Sequence, residues 1–147
     1  MAEQEEQITA LAEKVAAEYG SLSDTDRVYP NPQIGSSCVA KFDEDENWYR
    51  ARVKSIEGDK CDVLFVDYGN SATVSVSGLK APTQELLGIP IMAVPCALKG
   101  VGQRNVTDEL KTQFNNLIME DEISAVFANS ENNIFPVKLT NKLHYIL

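Results

Sequence analysis

The stretch "LFVDYGN", Leu64–Asn70, packs an apolar run, a carboxylate, an aromatic ring and a turn former into seven residues. Val63–Val66 is apolar and β-branched, which predicts a buried or half-buried strand. Gly69-Asn70 is a pair that a tight hairpin turn accepts, so the strand is expected to end near Asp67. Side chains alternate along a straight strand, and Phe65 and Tyr68 would then face opposite sides. A bend at Asp67 would bring both rings together. Two readings of those rings stand at this point: packing core, the ordinary fate of an aromatic in a strand, or walls of a ligand site.

Short strands surround this stretch. "CVAKF" (38–42) and "WYRARVKSI" (48–56) precede "CDVLFVD" (61–67), and "ATVSV" (72–76) follows, with "DEDEN", "EGDK" and "GNS" between them. Four or five antiparallel strands of this length make a small barrel. In "WYRARV" the residues Trp48, Arg50 and Arg52 alternate with Tyr49, Ala51 and Val53, so Trp48 is expected to pack between the barrel and its flank. Arg50 either pairs with Asp67 and holds the bend, or is exposed.

The flanks read differently. In "QITALAEKVAAEYG" the apolar residues Ile8, Leu11, Val15 and Tyr19 recur at helical spacing, with Gly20 as C-cap, and "SLSDTDRVYPNPQIGSS" is a linker. After the barrel, Pro82-Thr83 opens a short helix that Gly88 closes, and "IMAVPCALKGV" reads as a strand in which Pro95 argues for an edge or a bulge. "NVTDELKTQFNNLIM" is a third helix with an apolar face of Leu110, Phe114, Leu117 and Ile118, capped by Asn105 or Thr107. "EISAVFA" and "IFPVKLT" form a hairpin around "NSENN".

The chain has 147 residues, enough for one domain or two small interlocked ones, and a formal net charge of -9. That charge disfavours non-specific attraction to nucleic acid or anionic lipid and favours cationic partners. Cys38, Cys61 and Cys96 lack metal-ligand spacing, and His144 is the one histidine, so no metal and no cofactor are expected; the thiols read as small buried hydrophobes in a reducing compartment. "MAEQEEQ" carries neither a basic nor an apolar signal region, and no apolar run reaches transmembrane length, so an intracellular protein with no membrane contact is expected.

The joint pattern of "CVAKFDEDENWYRARV", then "LFVDYGN", then "LK" resembles an extended Tudor domain, the module repeated in germline Tudor-family proteins and found in Tudor staphylococcal nuclease. The resemblance implies a mostly β fold with flanking helices, in which a five-stranded SH3-like Tudor barrel is inserted in an OB, staphylococcal-nuclease-like subdomain. The expected division is a linking helix and linker at 1–33, the barrel at 34–80 and the C-terminal part of the OB-like subdomain at 81–147. The family's OB-like subdomain begins with strands before the linking helix; this chain begins at the helix, so a partial flank is expected.

The resemblance also implies a site: an aromatic cage of Phe42, Tyr49, Phe65 and Tyr68, with Asn70 as polar partner, binding methylated arginine. The expected partner is an arginine-methylated Arg-Gly or Arg-Ala peptide, such as the N-terminal tail of a Piwi- or Argonaute-type protein. The expected setting is a monomeric, non-catalytic scaffold module in cytoplasmic ribonucleoprotein or germ granules. Asp43–Glu46 is then either a solvated loop or a device that steers a cationic peptide. The competing readings are a scaffold for an unmethylated partner, a nuclease by analogy with the flanking fold, and a single-strand RNA binder. No carboxylate and arginine cluster supports the nuclease, and the acidic surroundings of the rings oppose RNA, so no direct nucleic acid contact is expected. His144 reads as a strand-end surface residue.

Overall fold

The barrel is organised on Trp48–Glu57 (β2), a strand whose two faces have opposite tasks. The computed structural model describes residues 2–101, 106–119, 123–130 and 132–141. Ser37–Lys41 (β1), β2, Lys60–Phe65 (β3) and Ser71–Ser75 (β4) form one antiparallel sheet in the order β1-β2-β3-β4. Cys38, Ala40, Ala51, Val53, Cys61, Val63, Phe65 and Leu79 turn into the barrel core. Their period-two spacing on each strand is the reason that face is apolar. Gly58, at φ 62, opens the two-residue loop between β2 and β3, where a tight hairpin needs the left-handed region.

A full fifth strand does not form. After a 3-10 turn at Val76–Gly78, Lys80 alone bridges Val39 of β1 on one side and Val28 on the other. Pro82 follows two residues later and has no N–H with which to extend the ladder.

On the outer face of the sheet lies the helix Ala2–Tyr19 (α1). Leu11, Val15 and Tyr19 join Val39 and Leu86 in a second buried cluster, with Trp48 packed against it at 6.4 Å between the Trp48 and Tyr19 rings. Trp48 therefore sits where its alternation with Tyr49 places it. Tyr19 donates its phenol to the Ala81 carbonyl at 2.9 Å. Lys80, only 2% exposed, donates its ammonium to the carbonyls of Ser23 and Asp24. The end of α1 leaves no room for a side chain on the next residue: a Cβ on Gly20 would lie 2.5 Å from the Ala16 carbonyl oxygen.

Gln84–Gly88 (α2) starts on Thr83, whose hydroxyl accepts from the Leu86 N–H. Its end is gripped by Arg50. The guanidinium binds both carboxylate oxygens of Asp67, at 2.9 and 2.6 Å, and donates to the carbonyls of Leu86, Ile89 and Pro90. Asp67 in turn accepts from the Met92 N–H at 3.1 Å. Arg50 and Asp67 are 7% and 5% exposed, so a bidentate ion pair is buried here with every guanidinium donor used.

That pair explains a departure from the expected strand over Ile91–Val101. Residues 89–93 spend their backbone groups on Arg50, Asp67 and the Val66 carbonyl, and the strand that forms is only Cys96–Leu98 (β5).

Val94–Leu147 is a separate compact unit from Met1–Ala93. In it, β5 pairs parallel with Phe135–Asn141 (β7), which pairs antiparallel with Ile123–Phe127 (β6). The expected hairpin is present, with Asn132 and Asn133 in the left-handed region at its turn. The helix Asp108–Ile118 (α3) begins on Thr107, whose hydroxyl accepts from the Leu110 N–H at 3.2 Å. Leu110 and Phe114 are half-buried. Asn105, the Leu117 side chain and His144 lie outside the described residues. No described helix is long and apolar enough to cross a membrane.

Asp67→Ala leaves a buried guanidinium without its counter-charge and is expected to cost about 3–5 kcal/mol of unfolding free energy. Denaturant titration of parent and variant measures it. A loss within about 0.5 kcal/mol, the range of an ordinary surface substitution, would mean that Arg50 is solvated in the absence of Asp67.

Candidate functional site

Two loops at one end of the barrel are built alike. In the first, the Phe42 N–H donates to the Asn47 carbonyl at 2.9 Å and the Glu46 N–H to the Phe42 carbonyl at 2.8 Å. In the second, the Phe65 N–H donates to the Asn70 carbonyl at 2.9 Å and the Gly69 N–H to the Phe65 carbonyl at 2.8 Å. Each is a four-residue hairpin loop that opens on a Phe, closes on an Asn and has its fourth loop residue left-handed, Glu46 at φ 59 and Gly69 at φ 88.

β3 therefore ends at Phe65, two residues before the expected Asp67, and the turn residues are Val66–Gly69. Inside that loop the chain divides its labour between neighbours. Asp67 turns inward to Arg50, and Tyr68 turns outward with 50% of its surface exposed.

The rings assemble in sequence. Phe42 meets Phe65 at 5.4 Å and 72°, Phe65 meets Tyr49 at 5.7 Å and 74°, and Tyr49 meets Tyr68 at 5.2 Å and 79°. All are edge-to-face contacts, the arrangement that ring quadrupoles favour. The bend does bring Tyr68 into the cluster, but the ring it meets edge-on is Tyr49. Phe65 is 1% exposed and belongs to the barrel core, so it forms the base of the cluster, with Phe42 and Tyr49 half-buried above it. Asn70 is exposed, and its backbone carbonyl closes the second loop on Phe65. The core reading of the aromatics thus holds for Phe65, and Tyr68 is the ring left open to solvent.

Nothing in the acidic run 43–46 of the sequence marks Asp45, yet it touches the cluster. Its Oδ2 accepts the Tyr49 phenol at 2.5 Å and its Oδ1 accepts the Asn47 N–H at 2.9 Å. The signal was an Asp four residues before a Tyr, which reads as nothing until the loop geometry is known. That hydrogen bond, with burial second, pushes the Tyr49 phenol up to about 12, and holds the Asp45 carboxyl below its ordinary value. Burial, with the charges of Asp67 and Asp45, also raises Tyr68. Both phenols are therefore neutral near pH 7 and present π-faces beside a carboxylate, which suits a weakly hydrated cation.

Among the described residues no group of three His, Cys, Asp or Glu side chains is gathered to hold an ion. Cys38 and Cys61 are buried, and burial pushes the Cys38 thiol up to about 12, but Cys96 is exposed, against the expectation that all three thiols are buried.

A family model described as the Tudor domain matches residues 1–100. Tudor domain-containing protein 1 of Danio rerio is 46% identical over 79 residues, which is 53% of this chain and 7% of that protein, so the chain spans a small part of its relative. Among solved structures, the human TDRD1 extended Tudor domain in complex with a symmetrically dimethylated peptide is similar with a TM-score of 0.84 and 28% identity, over 96% of this chain and 72% of that one. Extended Tudor domain TD3 of mouse TDRD1, in complex with a MILI peptide containing dimethylarginine, is similar with a TM-score of 0.83 and 28% identity, over 97% and 73% of the two chains.

NMR of ring-labelled tyrosine should find Tyr49 titrating near pH 12, against about 10 for a free phenol. Because the folded value is the raised one, this proton's contribution to stability is complete below about pH 10 and is lost as pH rises towards 12. Asp45→Asn should bring the Tyr49 titration down; an unmoved titration would mean that the hydrogen bond is not its main cause.

Proposed function

This chain belongs to the Tudor domain family, and from that premise we propose that it is a non-catalytic module that reads symmetrically dimethylated arginine in Arg-Gly or Arg-Ala peptides. Phe42, Tyr49 and Tyr68 surround the methylated guanidinium over the Phe65 base, and the Asn70 amide oxygen accepts its remaining N–H. The observation that carries this reading is the unbroken edge-to-face series Phe42–Phe65–Tyr49–Tyr68, which ends on a ring half open to solvent.

The chemistry suits the ligand. Dimethylation keeps the guanidinium charge, removes donors and weakens hydration, so neutral ring faces compete well with water for it. The carboxylates of Asp43–Glu46 and the net charge of -9 raise the local concentration of arginine-rich segments. The peptides bound in the two similar TDRD1 structures, one symmetrically dimethylated and one containing dimethylarginine, support the same ligand class. The partner we propose is the tail of a Piwi- or Argonaute-type protein, bound by a monomeric domain within a longer scaffold of cytoplasmic ribonucleoprotein granules. Nucleic acid is not bound directly in this reading, because the rings stand among carboxylates.

Calorimetry with matched peptides carrying unmodified, asymmetrically and symmetrically dimethylated arginine tests it, with the symmetric form expected to bind tightest. Tyr68→Ala removes a wall and about 0.5–2 kcal/mol of cation–π attraction, a several-fold loss, while the melting temperature holds because the ring is exposed. Asn70→Ala is expected to cost roughly 1 kcal/mol of binding. A folded Tyr68→Ala protein that binds as well as the parent would overturn the cage. Labelled RNA and DNA, incubated with the protein and magnesium or calcium, should stay intact; cleavage that follows the protein through purification would make it an enzyme.

A further inference from the structure

We propose that Asp45 is the positioning residue of the aromatic site: its carboxylate locks the Tyr49 phenol and so fixes the face that Tyr49 turns to the ligand beside Tyr68. This rests on the dimethylarginine reading of the same rings. Of the carboxylates in the loop 43–46, Asp45 alone bonds a cage residue among the described contacts; Glu46, largely exposed, lies 3.9 Å from Lys41. Asp45 works as a bridge because both of its oxygens are engaged, one by Tyr49 at 2.5 Å and the other by the Asn47 N–H at 2.9 Å. The loop itself is closed by the Phe42–Asn47 and Glu46–Phe42 backbone bonds, so the carboxylate is held from behind.

Tyr49 needs such a restraint. Its ring is half-buried, with Phe65 on one side and Tyr68 on another, and a phenol free to swing would present its face to a ligand only part of the time. A phenol that donates to a carboxylate also carries more electron density on its ring, which strengthens attraction to a cation. Asp45 therefore acts through Tyr49, at contact range, and not as one more charge in an acidic loop. The two roles differ in salt dependence, since long-range attraction is screened and a contact is not.

The experiment is a double-mutant cycle read by calorimetry with the symmetrically dimethylated peptide at low and high salt. The proteins are the parent, Asp43→Asn, Asp45→Asn, Tyr49→Phe and the double variant Asp45→Asn/Tyr49→Phe. Asp45→Asn is expected to weaken binding roughly three- to tenfold at both salt levels, and to add little once Tyr49→Phe has removed the phenol. Asp43→Asn removes the same charge without the bond, so its smaller effect should vanish at high salt. Equal losses for Asp43→Asn and Asp45→Asn, or additive losses in the double variant, would overturn the proposal and leave steering. A ligand-free readout separates this from failure of the methylarginine reading. Nuclear Overhauser contacts between the Tyr49 and Tyr68 rings should weaken in Asp45→Asn; if they persist unchanged, the positioning role is wrong whatever the domain binds.

Discussion

The buried pair Arg50–Asp67 is the constraint from which the rest of the first unit follows. An ion pair taken out of water carries a desolvation penalty of several kcal/mol per ion, and it persists only where further hydrogen bonds satisfy both partners. Here Arg50 meets that condition in full, with Asp67 and the carbonyls of Leu86, Ile89 and Pro90 filling its donors. The result is a joint between β2, the loop after β3 and the chain leaving α2. Alternation on β2 then assigns the faces. Arg50 points out of the barrel toward this joint, so its neighbours Tyr49 and Ala51 point in, and Tyr49 stands against Phe65. The same alternation puts Trp48 on the helix side, against Tyr19.

The twin loops are the second device. Each returns the chain with the same two backbone bonds on a Phe, and the two Phe rings, 5.4 Å apart, knit the loop bases together. The loops differ in what their aspartates hold. Asp67 secures the backbone of one loop through Arg50, and Asp45 secures a ring of β2 through the other. Gly69 adopts the left-handed conformation without penalty, whereas Glu46 accepts it at a cost of order 1–3 kcal/mol. The Asn47 and Tyr49 bonds to Asp45 are what that strained turn makes possible.

The legible part of this architecture was local. Period-two patterning locates β1 to β4 and helical spacing locates α1 and α3, whereas the grouping of Phe42, Tyr49, Phe65 and Tyr68 follows from the resemblance to the extended Tudor pattern and not from the spacing. What escaped was set by partners distant in sequence. The strand end at Phe65 and the loss of a strand over 91–95 both come from Arg50 drawing in Asp67 and the carbonyls after α2, a contact across 36 to 40 residues for the carbonyls. Lys80 stands in for a fifth strand because Val28 and Val39 flank it, which no propensity of residues 79–81 reveals. Asp45 escaped for the opposite reason: its partners are close in sequence, but a left-handed glutamate is required to bring them together.

The boundary between buried and exposed side chains in this loop falls at a single peptide bond. Asp67 is buried against Arg50, and the next residue, Tyr68, is half exposed, so the turn spends one side chain on the fold and the next on the surface. Phe65 permits no such separation. It is core to the barrel and base to the ring cluster, in edge contact with both Phe42 and Tyr49. A rigid base of this kind sets where the outer rings stand, which in the proposed methylarginine reading lowers the ordering cost of binding. The outer rings can then be tuned by polar contacts, as Tyr49 is by Asp45, without disturbing the packing beneath them. In the proposed reading, recognition is carried on side chains whose backbones the ion pair and the core have already fixed.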